Sequence, residues 1–297
     1  MSYVYMNKDE THFDVLGIVG VGLIGGSLGL AAKKRGLVGN VLGIGRSPEK
    51  LERAKQLGAI DEYTTDLVEG AQKADCLILC VPVLTIVPLL TQMVPHLKPG
   101  CIVTDVGSTK TKIVKEAEGV LAGRNPFVGG HPMAGSEEAG VDAADADLFV
   151  GATYVLTESK NTDKAALRKL IEFASALGAD AVTMGTHDHD IRVAMISHLP
   201  HIIAAALMML SPNEAQALAA GSFRDTTRVA SSPPNLWRDI CESNRNAIIY
   251  SIVSLRKQMD EIEFALSDDD FDSIEEMFAR AKELRDALAE KKGWKES

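Results

Sequence analysis

FDVLGIVGVGLIGGSLGL, residues 13–30, runs an apolar, β-branched stretch straight into Gly20-x-Gly22-x-x-Gly25 and out again into small apolar residues. Glycines placed between a strand and a helix meet a specific need. The first permits a tight turn, the second lets backbone approach a pyrophosphate, and the third lets the helix pack close against the strand. The unpaired N–H groups at the helix start then face the phosphates. In this setting the pattern reads as a dinucleotide-binding turn.

The residues that follow repeat the same rhythm. NVLGIGRS (40–47), ADCLILCVPV (74–83) and CIVTDVGS (101–108) read as strands, with PEKLERAKQLG (48–58) and LTIVPLLTQMVPHL (84–97) as the helices between them. Strands alternating with helices of this length predict βαβ units, hence an α/β fold with a doubly wound parallel sheet of the Rossmann type. PFVGGHP (126–132), ATYVLTES (152–159) and ADAVTMG (179–185) read as further strands, and DKAALRKLIEFASALG (163–178) as an amphipathic helix. Beyond residue 187 strand signals stop and long helical patterns take over. The expected division is a dinucleotide-binding domain over 1–186 and an all-helical domain over 187–297. The helical half carries more apolar surface than a small bundle can bury alone, so it is expected to pair two copies into a homodimer.

Cofactor contacts are expected from Gly20, Gly22, Leu23, Ile24 and Gly25, and from Val81 and Pro82 after the third strand. About 20 residues past the glycine turn an NAD site normally carries an acid for the ribose hydroxyl. Here the chain reads Gly45-Arg46-Ser47. Arg46 could stack on adenine or meet a 2′-phosphate, with Ser47 donating to either form, so the cofactor is NAD or NADP with a lean toward NADP. Arg46 as a plain solvated charge stays open.

The 297 residues are 46% apolar and 24% charged, with a net charge of −10. That charge argues against nucleic acid or an anionic membrane as partner. An anionic small molecule would need a local cluster of arginines. The opening MSYVYMNKDETHFD shows no apolar leader, and IIAAALMML (202–210) is too short to span a bilayer, so a cytoplasmic location is expected. Four cysteines without a C-x-x-C pair read as buried thiols rather than metal ligands or disulfides. No metal is expected: the rings of His187, His189, His198 and His201 should spread over different helix faces.

Three stretches carry the chemistry. GGHPMAGSEEAG (129–140) holds His131 in what reads as a rigid glycine–proline turn, a way of aiming an imidazole. DVGSTK (105–110) puts Ser108 at the carboxyl edge of the sheet, where open α/β folds bind ligands. SHLPH places His198 and His201 on one helix, with Asp190 eleven residues before His201 at nearly the same azimuth for about 3.6 residues per turn. SFRDTTRVASSPPNLWRD (222–239) gathers Arg224, Arg228 and Arg238 beside Trp237.

Taken together and in this order, GVGLIGGSLG, DVGSTK, GGHPMAGSE, SHLPH and FRDTTRVA…W strongly resemble the prephenate dehydrogenase family, which includes arogenate and cyclohexadienyl dehydrogenases. The resemblance covers nearly the whole chain. It implies a Rossmann domain followed by a helical dimerisation domain, and oxidative decarboxylation of prephenate to 4-hydroxyphenylpyruvate with NAD(P). His131 matches the catalytic histidine, and Ser108 a serine that orients it. His201 and Arg228 match substrate-carboxylate ligands, and His198 is read as a buried structural partner. Arg224 and Asp190 resemble a charged gate, while Trp237 and Gly221 resemble residues reaching the neighbouring subunit's site. Arogenate is the alternative substrate. A β-hydroxyacid or imine-type dehydrogenase is the remote alternative, weakened because DHDIRVAMISHLPHIIAAAL (188–207) lacks the lysine such hydroxyacid enzymes use.

Overall fold

The computed structural model describes residues 12–135 and 138–293. Residues 1–11 of the opening stretch, and Ser136 and Glu137 of the His131 stretch, lie outside the described residues. Strands and helices alternate as β1 (Phe13–Val19), α1 (Leu23–Lys34), β2 (Val38–Ile44), α2 (Pro48–Gln56), β3 (Glu62–Thr64), α3 (Leu67–Lys73), β4 (Cys76–Leu79), α4 (Val83–Met93), β5 (Ile102–Asp105), α5 (Thr111–Leu121) and β6 (Phe127–Val128). The six strands form one parallel sheet in the order β3-β2-β1-β4-β5-β6. The order reverses between β1 and β4, which opens a crevice at their carboxyl ends.

Both faces of the sheet are covered, as its near-continuous apolar strands require. On one face Leu16 and Ile18 pack with Leu28 and Ala31 of α1. On the other, Val19, Leu77 and Leu79 pack with Ile86 and Leu90 of α4 and Ile113 and Ala117 of α5. The elements β3, α3 and α5 have no counterpart in the sequence reading. The first is three residues long and the second seven, too short for a periodicity to register.

The chain then leaves the sheet. β7 (Gly130–Pro132), β8 (Thr153–Glu158), α6 (Lys164–Ala176) and β9 (Asp180–Gly185) build a separate three-stranded sheet in the order β7-β8-β9. β7 and β8 run antiparallel, β8 and β9 parallel. Of the further strands read from sequence, only Phe127–Val128 joins the main sheet. The crossing happens at Gly129, where a Cβ would lie 2.6 Å from both Thr157 Oγ1 and Val114 Cγ2. The His131 stretch is consequently not a free turn. His131 is a strand residue paired with Val155 of β8.

The helical part comprises α7 (Thr186–Val193), a π-turn over Ala194–His198, α8 (Leu199–Leu210), α9 (Asn213–Gln216), α10 (Gly221–Thr227), a 3₁₀ turn over Arg228–Ser231, α11 (Pro234–Ser243), α12 (Arg245–Ser267) and α13 (Phe271–Lys292). The π-turn overturns the azimuth expected for Asp190 and His201, since a wider turn resets the helical phase between them. The run Thr186–Leu210 is 25 residues long and apolar enough by composition to cross a membrane, longer than the nine-residue stretch considered from sequence. α11 ends at Asn244, whose side chain donates to the Asp190 carbonyl at 2.8 Å, before α12 begins.

Strands end at Gly185, yet the chain's two compact units are residues 1–245 and 246–297. α7 is tied to the start of α5 through Asp190, and Asn244 at the end of α11 is tied to the Asp190 carbonyl. Within the second unit Asp270 caps α13 by accepting from Ser273 N–H. Phe264 and Phe278 of that unit are 73% and 69% exposed.

Candidate active site

The glycine turn is shaped as its sequence requires. Gly20 has φ +91°, and a Cβ there would lie 2.5 Å from the Cys80 carbonyl oxygen. A Cβ on Gly25 would sit 2.3 Å from the Gly20 carbonyl, so this glycine lets α1 press onto the turn. Gly22 is different: nothing lies within 4 Å of its would-be Cβ. That open side is the approach a pyrophosphate needs. No side chain caps α1, which leaves the N–H groups around Leu23 and Ile24 for an anion. Val81 borders the same crevice, its Cγ1 2.8 Å from the Cβ that Gly20 lacks, and Pro82 opens α4. The residues present fit a dinucleotide.

After β2, Arg46 is exposed. Ser47 is otherwise engaged: its hydroxyl accepts from Lys50 N–H and donates to Glu49. It caps α2.

His131 lies at the carboxyl edge of the sheet. Gly130 N–H donates to Asp105 Oδ1 at the end of β5, and a Cβ on Gly130 would fall 2.6 Å from the Asp105 carbonyl. Only glycine lets β7 come this near. Behind it Lys110 is fully buried, its ammonium bonded to Asp105 Oδ2 and, at 2.7 Å, to the Gly130 carbonyl. Asp105 also accepts from Gly107 N–H. One buried ion pair therefore pins the strand that carries His131 to the sheet.

The ring of His131 meets a second histidine. His131 Nδ1 lies 2.9 Å from His189 Nε2, and His189 Nδ1 lies 2.8 Å from Asp190 Oδ1. Asp190 is itself fixed, accepting from Lys110 N–H at 2.7 Å and Thr111 N–H at 2.8 Å. Asp190 thus caps α5 from another helix. This corrects two expectations. Ser108 makes no side-chain hydrogen bond among the described residues; His189, not Ser108, bonds the His131 ring. Asp190 is not a gate residue: it is 3% exposed, and Arg224 pairs instead with its exposed neighbour Asp225.

Burial pushes the His131 imidazole well below the ordinary histidine range, aided by the charges of His189, Lys110 and His198. A ring that stays neutral at pH 7 can accept a proton. Burial likewise lowers His198, to about 4, against the pull of Asp190. Burial pushes Asp190 up, but the bonds from His189 and from the Thr111 and Lys110 amides hold it below the usual carboxylate value. The sign for stability follows. Unfolded histidines take up protons near pH 6.5 that the folded His131 and His198 refuse, so stability falls as pH drops from about 6.5 toward about 4. Urea midpoints should be lower at pH 5 than at pH 7; equal midpoints would mean these rings titrate normally.

His201 and Trp237 form a second cluster. Their rings stack at 4.2 Å, and His201 Nδ1–H donates to the Ser197 carbonyl at 2.9 Å, which leaves Nε2 available. Trp237, expected to reach a neighbouring subunit, is seated here on its own chain's histidine. Gly221 opens α10 with open space around it. His198 is buried, 3.2 Å from Asn244 Nδ2, as a structural partner should be. Arg228 starts an exposed 3₁₀ turn packed on α8, while Arg238 is bonded to Asp239. Arg224 and Arg238 each bond the aspartate next in sequence. Among the described residues no group of three or more His, Cys, Asp or Glu is arranged to hold a metal.

Sequence reasoning missed His189, Lys110, Asp105 and Asn244. The adjacent pair His189-Asp190 at the start of the helical half, and a lysine soon after a strand end, are the signals the sequence offers.

A dinucleotide crevice at the switch point, with a half-buried histidine at the same sheet edge, defines a nicotinamide-dependent dehydrogenase. Residues 28–183 match the family model for the prephenate dehydrogenase nucleotide-binding domain, and residues 185–280 that for its dimerization domain. The chain is 38% identical over 282 residues to prephenate dehydrogenase of Bacillus subtilis (strain 168), covering 93% of this chain and 76% of that one. It superposes on prephenate dehydrogenase from A. aeolicus in complex with hydroxyphenyl propionate and NAD+ at TM-score 0.87 and 32% identity, covering 93% and 98%. Synechocystis arogenate dehydrogenase gives TM-score 0.82 and 35% identity, covering 92% and 99%. The chain belongs to the prephenate dehydrogenase family.

Proposed function

We propose that this chain catalyses the NAD(P)-dependent oxidative decarboxylation of prephenate to 4-hydroxyphenylpyruvate, a step toward tyrosine. The observation that carries the chemistry is the His131 imidazole at the carboxyl edge of the sheet, its Nδ1 bonded to His189 and its Nε2 without a hydrogen bond among the described residues, in surroundings that disfavour its charged form.

Prephenate carries a hydroxyl and a hydrogen on ring C4, a carboxylate on C1 and a pyruvyl carboxylate. Gly20, Gly22, Gly25, Leu23 and Ile24, with Val81 and Pro82 alongside, would hold the dinucleotide, whose nicotinamide would supply the acceptor for the hydride leaving C4. His131 Nε2 accepts the C4 hydroxyl proton, which raises electron density on that carbon as the hydride departs. Loss of carbon dioxide from C1 returns the bonding pair to the ring and leaves a phenolate oxygen. His131 gives the same proton back to that oxygen, so no net proton is consumed. Ser108, just past the carboxyl end of β5 and without a side-chain hydrogen bond among the described residues, bonds the hydroxyl in this reading. His201 Nε2 and Arg228 hold the carboxylates, with Trp237 setting the His201 ring.

Arg228→Ala should raise the KM for prephenate roughly tenfold to a hundredfold with kcat little changed, the scale of one charge-assisted bond made equally in ground and transition states. An unchanged KM would put the carboxylate elsewhere.

In this reading residues 1–186 carry the dinucleotide and 187–297 the substrate side and the pairing of two copies. The apolar exposed face of α12 and α13, with Phe264, Phe271, Phe278 and Leu284, supports a homodimer. The reaction is assigned to the cytoplasm, with neither nucleic acid nor membrane as partner, in keeping with the net charge of −10. Arg46, exposed after β2, supports NADP beside NAD. Arogenate is the second substrate reading, supported by the likeness to the Synechocystis enzyme. Initial rates for prephenate or arogenate with NAD or NADP separate the four pairings. Turnover with none of them would overturn the assignment.

A further inference from the structure

His189 and Asp190 touch neither proposed substrate nor cofactor ligands, yet they occupy the buried side of the one histidine assigned to chemistry. We propose that they are positioning residues, which hold His131 in the single tautomer whose Nε2 lone pair faces the substrate. The inference rests on the reading of His131 as proton acceptor.

The chain of bonds is anchored at Asp190. Asp190 receives two backbone N–H groups, from Lys110 and Thr111, and its own carbonyl takes Asn244 Nδ2–H. Both oxygens are thereby engaged with donors, and an ionised carboxylate only accepts. The 2.8 Å contact from Asp190 Oδ1 to His189 Nδ1 must then be donated by the histidine. With its proton on Nδ1, neutral His189 presents a bare lone pair at Nε2. The 2.9 Å contact to His131 Nδ1 must in turn be donated by His131. His131 is left with a proton on Nδ1 and a lone pair on Nε2. The other tautomer would set two lone pairs against each other at 2.9 Å and offer the substrate hydroxyl a donor where an acceptor is needed.

The same line of bonds serves the charged state. When His131 accepts a proton, its Nδ1–H already points along His189 toward a carboxylate, so the new charge meets an oriented partner without rearrangement. Lys110, the nearest buried cation, is paired with Asp105 and cannot play this part.

Imidazole ¹⁵N–¹H correlation spectra of the cofactor-free enzyme test the tautomer without turnover. His131 should show a protonated Nδ1 and a bare Nε2; a protonated Nε2 with bare Nδ1 overturns the proposal. Kinetics give the second test. His189→Leu, which removes the acceptor, should lower kcat roughly 10–10²-fold, part of what a general base contributes, with KM within about threefold. His189→Gln, which restores an oxygen near the Nε2 position, should recover most of that loss. Wild-type kcat in the leucine variant, or equal losses in both variants, would reduce the pair to packing. A failure of the functional reading looks different: the unmodified enzyme would turn over none of the four substrate–cofactor pairs.

Discussion

His131→Asn is expected to keep the melting temperature and dinucleotide affinity of the parent while kcat falls by roughly 10²–10⁴, the usual worth of a general base. The asparagine amide can stand where Nδ1 stands, so the bond to His189 has a replacement and the β7–β8 pairing is untouched. What it cannot do is accept a proton from an alcohol at neutral pH. The dinucleotide turn is built from β1, α1 and the end of β4 and should not register the change. Initial rates with saturating prephenate, beside a binding titration with the dinucleotide, separate the two quantities. Parental turnover in this variant would remove His131 from the chemistry.

Lys110→Met should be the most damaging single change to the fold. The ammonium is fully buried with Asp105, and its removal leaves a carboxylate in the interior without its cation. Breaking a buried pair from one side costs about 3–5 kcal/mol, far more than the pair itself is worth against an apolar replacement. The Gly130 carbonyl loses its partner as well, which loosens the strand bearing His131. For a chain of this size the melting temperature should drop by roughly 10 °C. Adding Asp105→Asn should recover part of the loss, because the uncompensated charge is gone. An unchanged melting temperature for the single variant would mean that Asp105 sheds its charge at no cost, and the anchor would have to be sought in β7–β8 pairing alone.

The sheet was readable because its determinants are local. β1, α1, β2 and β5 each announce themselves through apolar runs bounded by glycine, β4 through one set between Asp75 and Pro82, and Gly20-x-Gly22-x-x-Gly25 gains its meaning from the strand before it. The same holds for His131: the glycines and proline around it signal a constrained place, although the constraint is close approach to Asp105 rather than a turn. What could not be read depends on meetings across distant sequence. Asp190 caps a helix that begins 79 residues earlier at Thr111. His189 meets His131 from 58 residues away. No local pattern encodes either. Extrapolating helical phase from Asp190 to His201 failed for a physical reason, since one π-turn over Ala194–His198 shifts every side chain beyond it. The gate imagined between Asp190 and Arg224 likewise treated two charges as partners when each had a nearer one.

The account turns on where one nitrogen points. A crystal structure of the ternary complex with dinucleotide and a non-reacting prephenate analogue that keeps the C4 hydroxyl measures it directly. His131 Nε2 should lie roughly 2.6–3.2 Å from that hydroxyl oxygen, or reach it through one water, with Nδ1 still on His189. A ring turned so that Nδ1 faces the substrate, or an Nε2 too far for even a bridging water, would contradict the account.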